Sequence, residues 1–167
     1  MTIAQSMLPE FDHEMSQTRK LLERVPLEKS SWQPHAKSMT LGRLAGHVAT
    51  LPRLGSVVIG QSELDFNPPG APPFKSPEYT TTSALIEAFD GNVRAVREAL
   101  AGASDAHLAG DFTLKSGGQT IFTQPRVAVL RSAMMNHIIH HRAQLVVYLR
   151  MHDVPVPGLY GPSADER

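Results

Sequence analysis

Three of the chain's eight histidines fall within five residues, in the stretch Asn136-His137-Ile138-Ile139-His140-His141-Arg142-Ala143-Gln144-Leu145. Imidazole binds divalent transition metals and moves protons near neutral pH. His137 and His141 are four residues apart. On a helix such side chains stack on one face, so two ring nitrogens can converge on one ion. His140 turns about 100° away from His141 and falls on the flank. Two imidazoles do not complete a metal site. The third candidate is His47, at the edge of an apolar stripe in the stretch LGRLAGHVATL. Three histidines with one position left to water form a catalytic arrangement for zinc, and imidazole also suits nickel, iron or copper. The plainer alternative is that the three rings only fill the core, each with a hydrogen-bond partner. His13, His35, His107 and His152 are expected on the surface or in loops.

Four segments of helical periodicity must carry these residues, over about residues 3–25, 40–60, 82–101 and 125–152. In the first, Met7, Phe11, Met15, Thr18, Leu21, Leu22 and Val25 recur at spacings of three and four, and Pro26 follows. The second starts near Ser38 or Thr40, either of which can cap it; Pro52 falls late in it and is expected to kink it. The third takes Thr82 or Ser83 as its cap. The last starts near Gln124 or Pro125 and places Val127, Leu130, Met134, Ile138, Leu145, Tyr148 and Leu149 on one broad face with His137 and His141. The connector SSWQPHAKS holds the only tryptophan, Trp32, either an anchor packed on the helices or a pocket lining. The stretch NPPGAPPFKSP reads as an ordered surface crossover within residues 61–80. DFTLK and QTIFT flank Ser116-Gly117-Gly118, the signal of a small hairpin. The fold class is therefore all-α: a four-helix bundle with a crossover loop and a small hairpin or extended loop before the last helix.

The 167 residues are expected to form a single domain, 1–167, able to bury a full core. With 16 basic and 16 acidic residues the formal charge is zero, which argues against a broad nucleic-acid or anionic-membrane surface. No cysteine is present, so disulfides and thiolate metal sites are excluded. The first residues lack a basic segment followed by an apolar core, and no stretch has the length of a membrane span. The expectation is a cytoplasmic protein with no nucleic-acid or membrane partner.

NHIIHHRAQLVVYLR resembles the C-terminal helix of the DinB-like superfamily of four-helix-bundle metalloproteins. The shared pattern is an asparagine–histidine pair, a histidine four residues on, then arginine, a small residue and glutamine: Asn136, His137, His141, Arg142, Ala143 and Gln144 here. The family more usually has glycine at the position of Ala143. A tryptophan–proline connector (Trp32 to Pro34) and a leucine-rich second helix with a histidine (LGRLAGHV, His47) also match. The resemblance covers nearly the whole chain and implies a divalent ion, zinc or nickel foremost, held by His47, His137 and His141. It implies a homodimer. It also implies a reaction class, since some members activate a low-molecular-weight thiol on the metal for transfer to a small-molecule electrophile.

Three readings of function remain open at this stage. One is a metal-dependent enzyme that uses a thiol cosubstrate. The second is a metal-dependent hydrolase, which needs a carboxylate to assist a metal-bound water; Asp12, Glu14, Glu87 and Asp90 are the candidates, each against the alternative of a solvated helix face. The third is a bundle without catalysis, its ion structural or absent. Arg142 is expected to pair with a carboxylate or hold a neighbouring segment rather than touch substrate. Gln144, one turn beyond His141, is expected to hydrogen-bond a ligand ring and fix its tautomer. No residue is assigned a catalytic role.

Overall fold

The computed structural model describes residues 1–72, 75 and 77–166. The bundle is built from α1 (Ile3–Leu22), the broken pair α2 (Leu41–Thr50) and α3 (Arg53–Gly60), α4 (Thr82–Gly102), and a last helix made of α6 (Arg126–Val129), a π-helical segment (Leu130–Asn136) and α7 (His137–Arg150). A short helix α5 (Asp105–Ala109) follows α4, and three strands, β1 (Glu63–Asp65), β2 (Asp111–Ser116) and β3 (Gln119–Pro125), form a small sheet at one end. The fold is thus mostly helical, as the periodicity predicts, with a small sheet of three strands where a hairpin or extended loop is expected.

Local chemistry sets the ends of the helices. Thr2 caps α1 in a reciprocal pair with Gln5, which satisfies two backbone donors at once. Thr40 caps α2 by accepting from the Arg43 N–H. The cap of α4 is Thr81 rather than Thr82 or Ser83, accepting from the Ala84 N–H. Two boundaries differ from expectation. α1 ends at Leu22, and Val25 is buried in the turn beyond it. The expected 40–60 helix is two helices, because Pro52 has no N–H to continue the ladder and the chain restarts from it as the leading residue of α3.

The apolar faces meet in one core. Phe11, Leu21 and Leu22 of α1, Leu41, Leu44 and Val48 of α2, Leu85, Phe89 and Val96 of α4, and Leu130, Met134, Ile138, Leu145 and Leu149 of the last helix are all at most 1 % exposed. Gly55 lets α3 approach closely: a Cβ there would come within 2.4 Å of Met134 Sδ and 2.9 Å of Val96 Cγ1.

The hairpin forms as expected, with β2 and β3 antiparallel and turning through Gly117 and Gly118, both at positive φ (61° and 78°). The expected crossover is not all loop: its start supplies β1, which pairs parallel to β2 from Glu63↔Thr113 to Asp65↔Lys115. Asp65 then accepts from the N–H groups of Asn67, Gly117 and Gly118. Burial pushes its carboxyl up, but these donors outweigh that and hold it below the usual value. Arg126 ties the sheet to α3 by donating to the carbonyls of Val58, Gln61 and Asp111. Of the expected crossover, Pro73, Phe74 and Ser76 lie outside the described residues.

Candidate metal centre

α7 carries His137 and His141 one turn apart, and α2 packs against it with His47. The three imidazoles converge: one ligand nitrogen from each lies within 4.8 Å of the others. Ring centroids are 4.5 Å apart for His47 and His141, 4.7 Å for His137 and His141, and 5.3 Å for His47 and His137. His141 is buried, and His47 and His137 are half-buried. Among the described residues no fourth histidine or carboxylate joins the cluster.

The hydrogen bonds decide which nitrogens face inward. A carbonyl oxygen only accepts, so His137 Nδ1 donates to the Ala133 carbonyl at 3.3 Å. His141 Nδ1 likewise donates to Gln144 Oε1 at 2.7 Å. Both Nε2 atoms therefore carry lone pairs, and they face one another at 2.9 Å. Two lone pairs at that distance repel unless a cation lies close to both. The donor set therefore fits a divalent transition metal bound through neutral imidazoles.

The electrostatics favour the neutral rings. Burial lowers the pKa of His47 to about 4, and the neighbouring His141 and His137 and the Arg43 guanidinium add to the effect. Burial also lowers His137 and His141, although each is partly supported by the group its Nδ1 donates to. A ligand that stays unprotonated gives a metal little proton competition.

The residues around the triad sort clearly. Arg142 is 1 % exposed. It donates to Glu14 Oε2 at 2.6 Å, to the Glu14 carbonyl at 3.0 Å, to Thr18 Oγ1 at 3.2 Å and to the Tyr160 hydroxyl at 2.5 Å. It pairs with a carboxylate, as its position beside a ligand suggested, and so ties α7 to α1. Glu14 is accordingly neither a general base at the metal nor part of a solvated face. Asp12 is held by Arg97 and Asp90 by Arg19; Glu87 is exposed on α4. Trp32 is the anchor: its ring packs edge-on against Tyr148 and His152, at 5.4 Å and 4.4 Å. His152, expected at the surface, is half-buried by that contact. His13, His35 and His107 are exposed as expected, the last donating from Nε2 to the Ile59 carbonyl at 2.7 Å.

Three features were not legible. Gly46, beside His47, lets the crossover lie against α2: a Cβ there would stand 1.9 Å from the Pro77 carbonyl oxygen. A glycine between Ala45 and His47 was the available signal. The π-helical segment ends where His137 begins, a placement common near functional sites; no residue type in Leu130–Asn136 announces it. Tyr160, whose hydroxyl also donates to Glu14, comes from the tail far along the chain.

The sequence model of the DinB superfamily matches residues 10–145. The chain belongs to the DinB superfamily. Among its relatives is YrdA, an uncharacterized protein of Bacillus subtilis, 28% identical over 159 residues that cover 95% of this chain and 89% of YrdA. The fold is similar to two crystal structures of DinB-like proteins. One is from Bacillus cereus, with TM-score 0.70, 24% identity and coverage of 95% of this chain and 98% of that one. The other is YjoA from Bacillus subtilis, with TM-score 0.67, 21% identity and coverage of 97% and 99%. At these identities the two structures speak for the DinB fold alone. Among the described residues no helix is long and apolar enough to cross a membrane.

Proposed function

We propose that this DinB-superfamily chain holds one divalent transition metal, zinc or nickel, on His47, His137 and His141, and is an enzyme that activates a low-molecular-weight thiol for transfer to a small electrophile. The observation that carries the metal reading is the pair of Nε2 atoms facing each other at 2.9 Å beside a third imidazole.

Three protein donors without a fourth among the described residues match metal sites that keep a position for an exogenous ligand. When bound, such an ion lowers the pKa of a coordinated thiol, so that thiolate is available at neutral pH. The sulfur–carbon bond forms as the electrophile's bond to its leaving group breaks, and the thiol proton goes to solvent. Thiol transfer is favoured over hydrolysis by the commitments of the nearby acids. A hydrolase needs a carboxylate beside the site, yet among the described residues none joins the three histidines: Asp12, Glu14 and Asp90 are each engaged by an arginine, and Glu87 is exposed on α4. Arg43, one turn before His47 on α2, adds positive charge near the centre. A homodimer accompanies this reading, on the strength of the family resemblance.

The test is metal analysis of protein purified without a histidine tag, beside the single alanine variants of His47, His137 and His141. About one ion per chain, lost in each variant and kept in His140→Ala, is the expected result. Cobalt-substituted protein should then change its visible spectrum with a small thiol. No uptake of zinc or nickel would leave the rings as packing; uptake with no response across a panel of thiols would remove the transferase reading.

A further inference from the structure

The hydrogen bonding around His141 extends beyond the three imidazoles. Gln144 sits three residues after His141 and four after His140, so its amide reaches both rings on the same helix. Its Oε1 accepts from His141 Nδ1 at 2.7 Å, and its Nε2 lies 3.1 Å from His140 Nε2. The amide nitrogen donates there, so His140 presents an unprotonated Nε2. Both Gln144 and His140 are exposed.

We propose that Gln144 is a positioning residue for the metal centre, holding His141 in the tautomer whose Nε2 is open to the ion. The inference rests on the metal reading above.

The reasoning is one of tautomer and orientation. Neutral imidazole in water favours the proton on Nε2. For His141 that tautomer would be harmful, because an Nε2–H would point at the lone pair of His137 Nε2, 2.9 Å away. The two rings would hydrogen-bond to each other and close the site. An acceptor at Nδ1 draws the proton to the outer nitrogen and prevents this. Gln144 supplies that acceptor only in one of its two amide orientations, since a flip would present its NH2 instead. In the structure the amide takes the productive orientation, with its nitrogen 3.1 Å from His140 Nε2. His137 needs no such partner, because its Nδ1 donates to a backbone carbonyl, that of Ala133. Of the two ligands on α7, His141 is therefore the one whose tautomer a side chain controls. The exposure of Gln144 also separates this role from packing, since truncating it opens no cavity.

The experiment uses the full chain, wild type beside Gln144→Ala, Gln144→Glu and His140→Ala. Nitrogen-15 NMR of the imidazoles in metal-free protein at pH 8 reads the His141 tautomer. Competition with a chromophoric chelator reads zinc affinity, and thermal unfolding checks the fold. Wild type should hold His141 as Nδ1–H. Gln144→Ala should move the proton to Nε2 and weaken zinc by about 10–100-fold, with the unfolding temperature unchanged. Gln144→Glu, which keeps an acceptor, should restore both, and His140→Ala, which leaves the Gln144 oxygen in place, should stay close to wild type. The proposal is overturned if Gln144→Ala keeps the wild-type tautomer, if affinity falls without a change of tautomer, or if Gln144→Glu rescues neither. Failure of every form to bind zinc would sink the metal reading instead, and the tautomer measurement would still judge Gln144.

Discussion

The Glu14–Arg142 pair makes the sharpest stability prediction. Replacing Glu14 by alanine leaves the Arg142 guanidinium, 1 % exposed, without its carboxylate. The lost contacts are the 2.6 Å bond to Oε2 and the Tyr160 hydroxyl bonds to the two carboxylate oxygens, at 2.9 Å and 3.0 Å. Three neutral acceptors stay with Arg142: the residue-14 carbonyl, Thr18 Oγ1 and the Tyr160 hydroxyl. They solvate the cation in part and do not neutralise it. Removing one partner of a buried pair costs about 3–5 kcal/mol. For a domain of this size each kcal/mol lowers the unfolding midpoint by about 2–4 °C, so the loss should be roughly 6–20 °C. Chemical denaturation and calorimetry of Glu14→Ala, Arg142→Met and the double variant would measure it. The double variant should recover much of the loss, because the exposed cost lies in the unpaired charge and not in the missing bond. Arg142 follows His141 directly, so zinc affinity measured on the same proteins reports whether α7 has moved on α1. A Glu14→Ala protein within about 1 kcal/mol of wild type would refute the reasoning, since the desolvated cation would then be costing nothing.

Two further predictions concern pH and the crossover. In metal-free protein the His47 imidazole is held down to about 4, with His137 and His141 also lowered, whereas unfolded histidine titrates near 6.5. Between those values the unfolded chain binds more protons, so acidification through that window should destabilise the protein and stability should level off above it. For His47 the effect is on the order of 1–2 kcal/mol, since solvent reaches part of the ring; unfolding from pH 7.5 to 4.5 should show it, and a His47→Asn protein with the same pH slope would count against it. Gly46→Ala should cost about 1–3 kcal/mol, because its Cβ meets a backbone carbonyl that cannot rotate aside. It should also weaken zinc binding beside the shifted segment, and titrating both proteins with zinc tests this, wild-type affinity being the contrary outcome.

Much of the molecule is written locally. The periodicity of apolar residues places the helices, Pro52 breaks the second one, Thr40 starts it, and Gly117-Gly118 turns the hairpin, because each depends on backbone geometry within a few residues. The spacing of His137 and His141 puts both rings on one face of one helix, and His140 off that face, before any packing is known. What the chain could not state locally is which distant groups meet. That His47 comes close to the other two depends on α2 packing on α7, and that Glu14 is spent on Arg142 rather than on a substrate depends on α1 packing on α7. The parallel strand β1 is another such case, since a three-residue strand gains its hydrogen bonds only from a partner about fifty residues away, Glu63 facing Thr113. The π-helical turn before His137 is not written locally either, for its residues would serve equally well in an α-helix. Sequence alone therefore determined the histidine pair, the face it shares and, through Ala133 and Gln144 on the same helix, which nitrogen of each ring points inward; tertiary packing decided that a third imidazole arrives and which carboxylates are committed elsewhere.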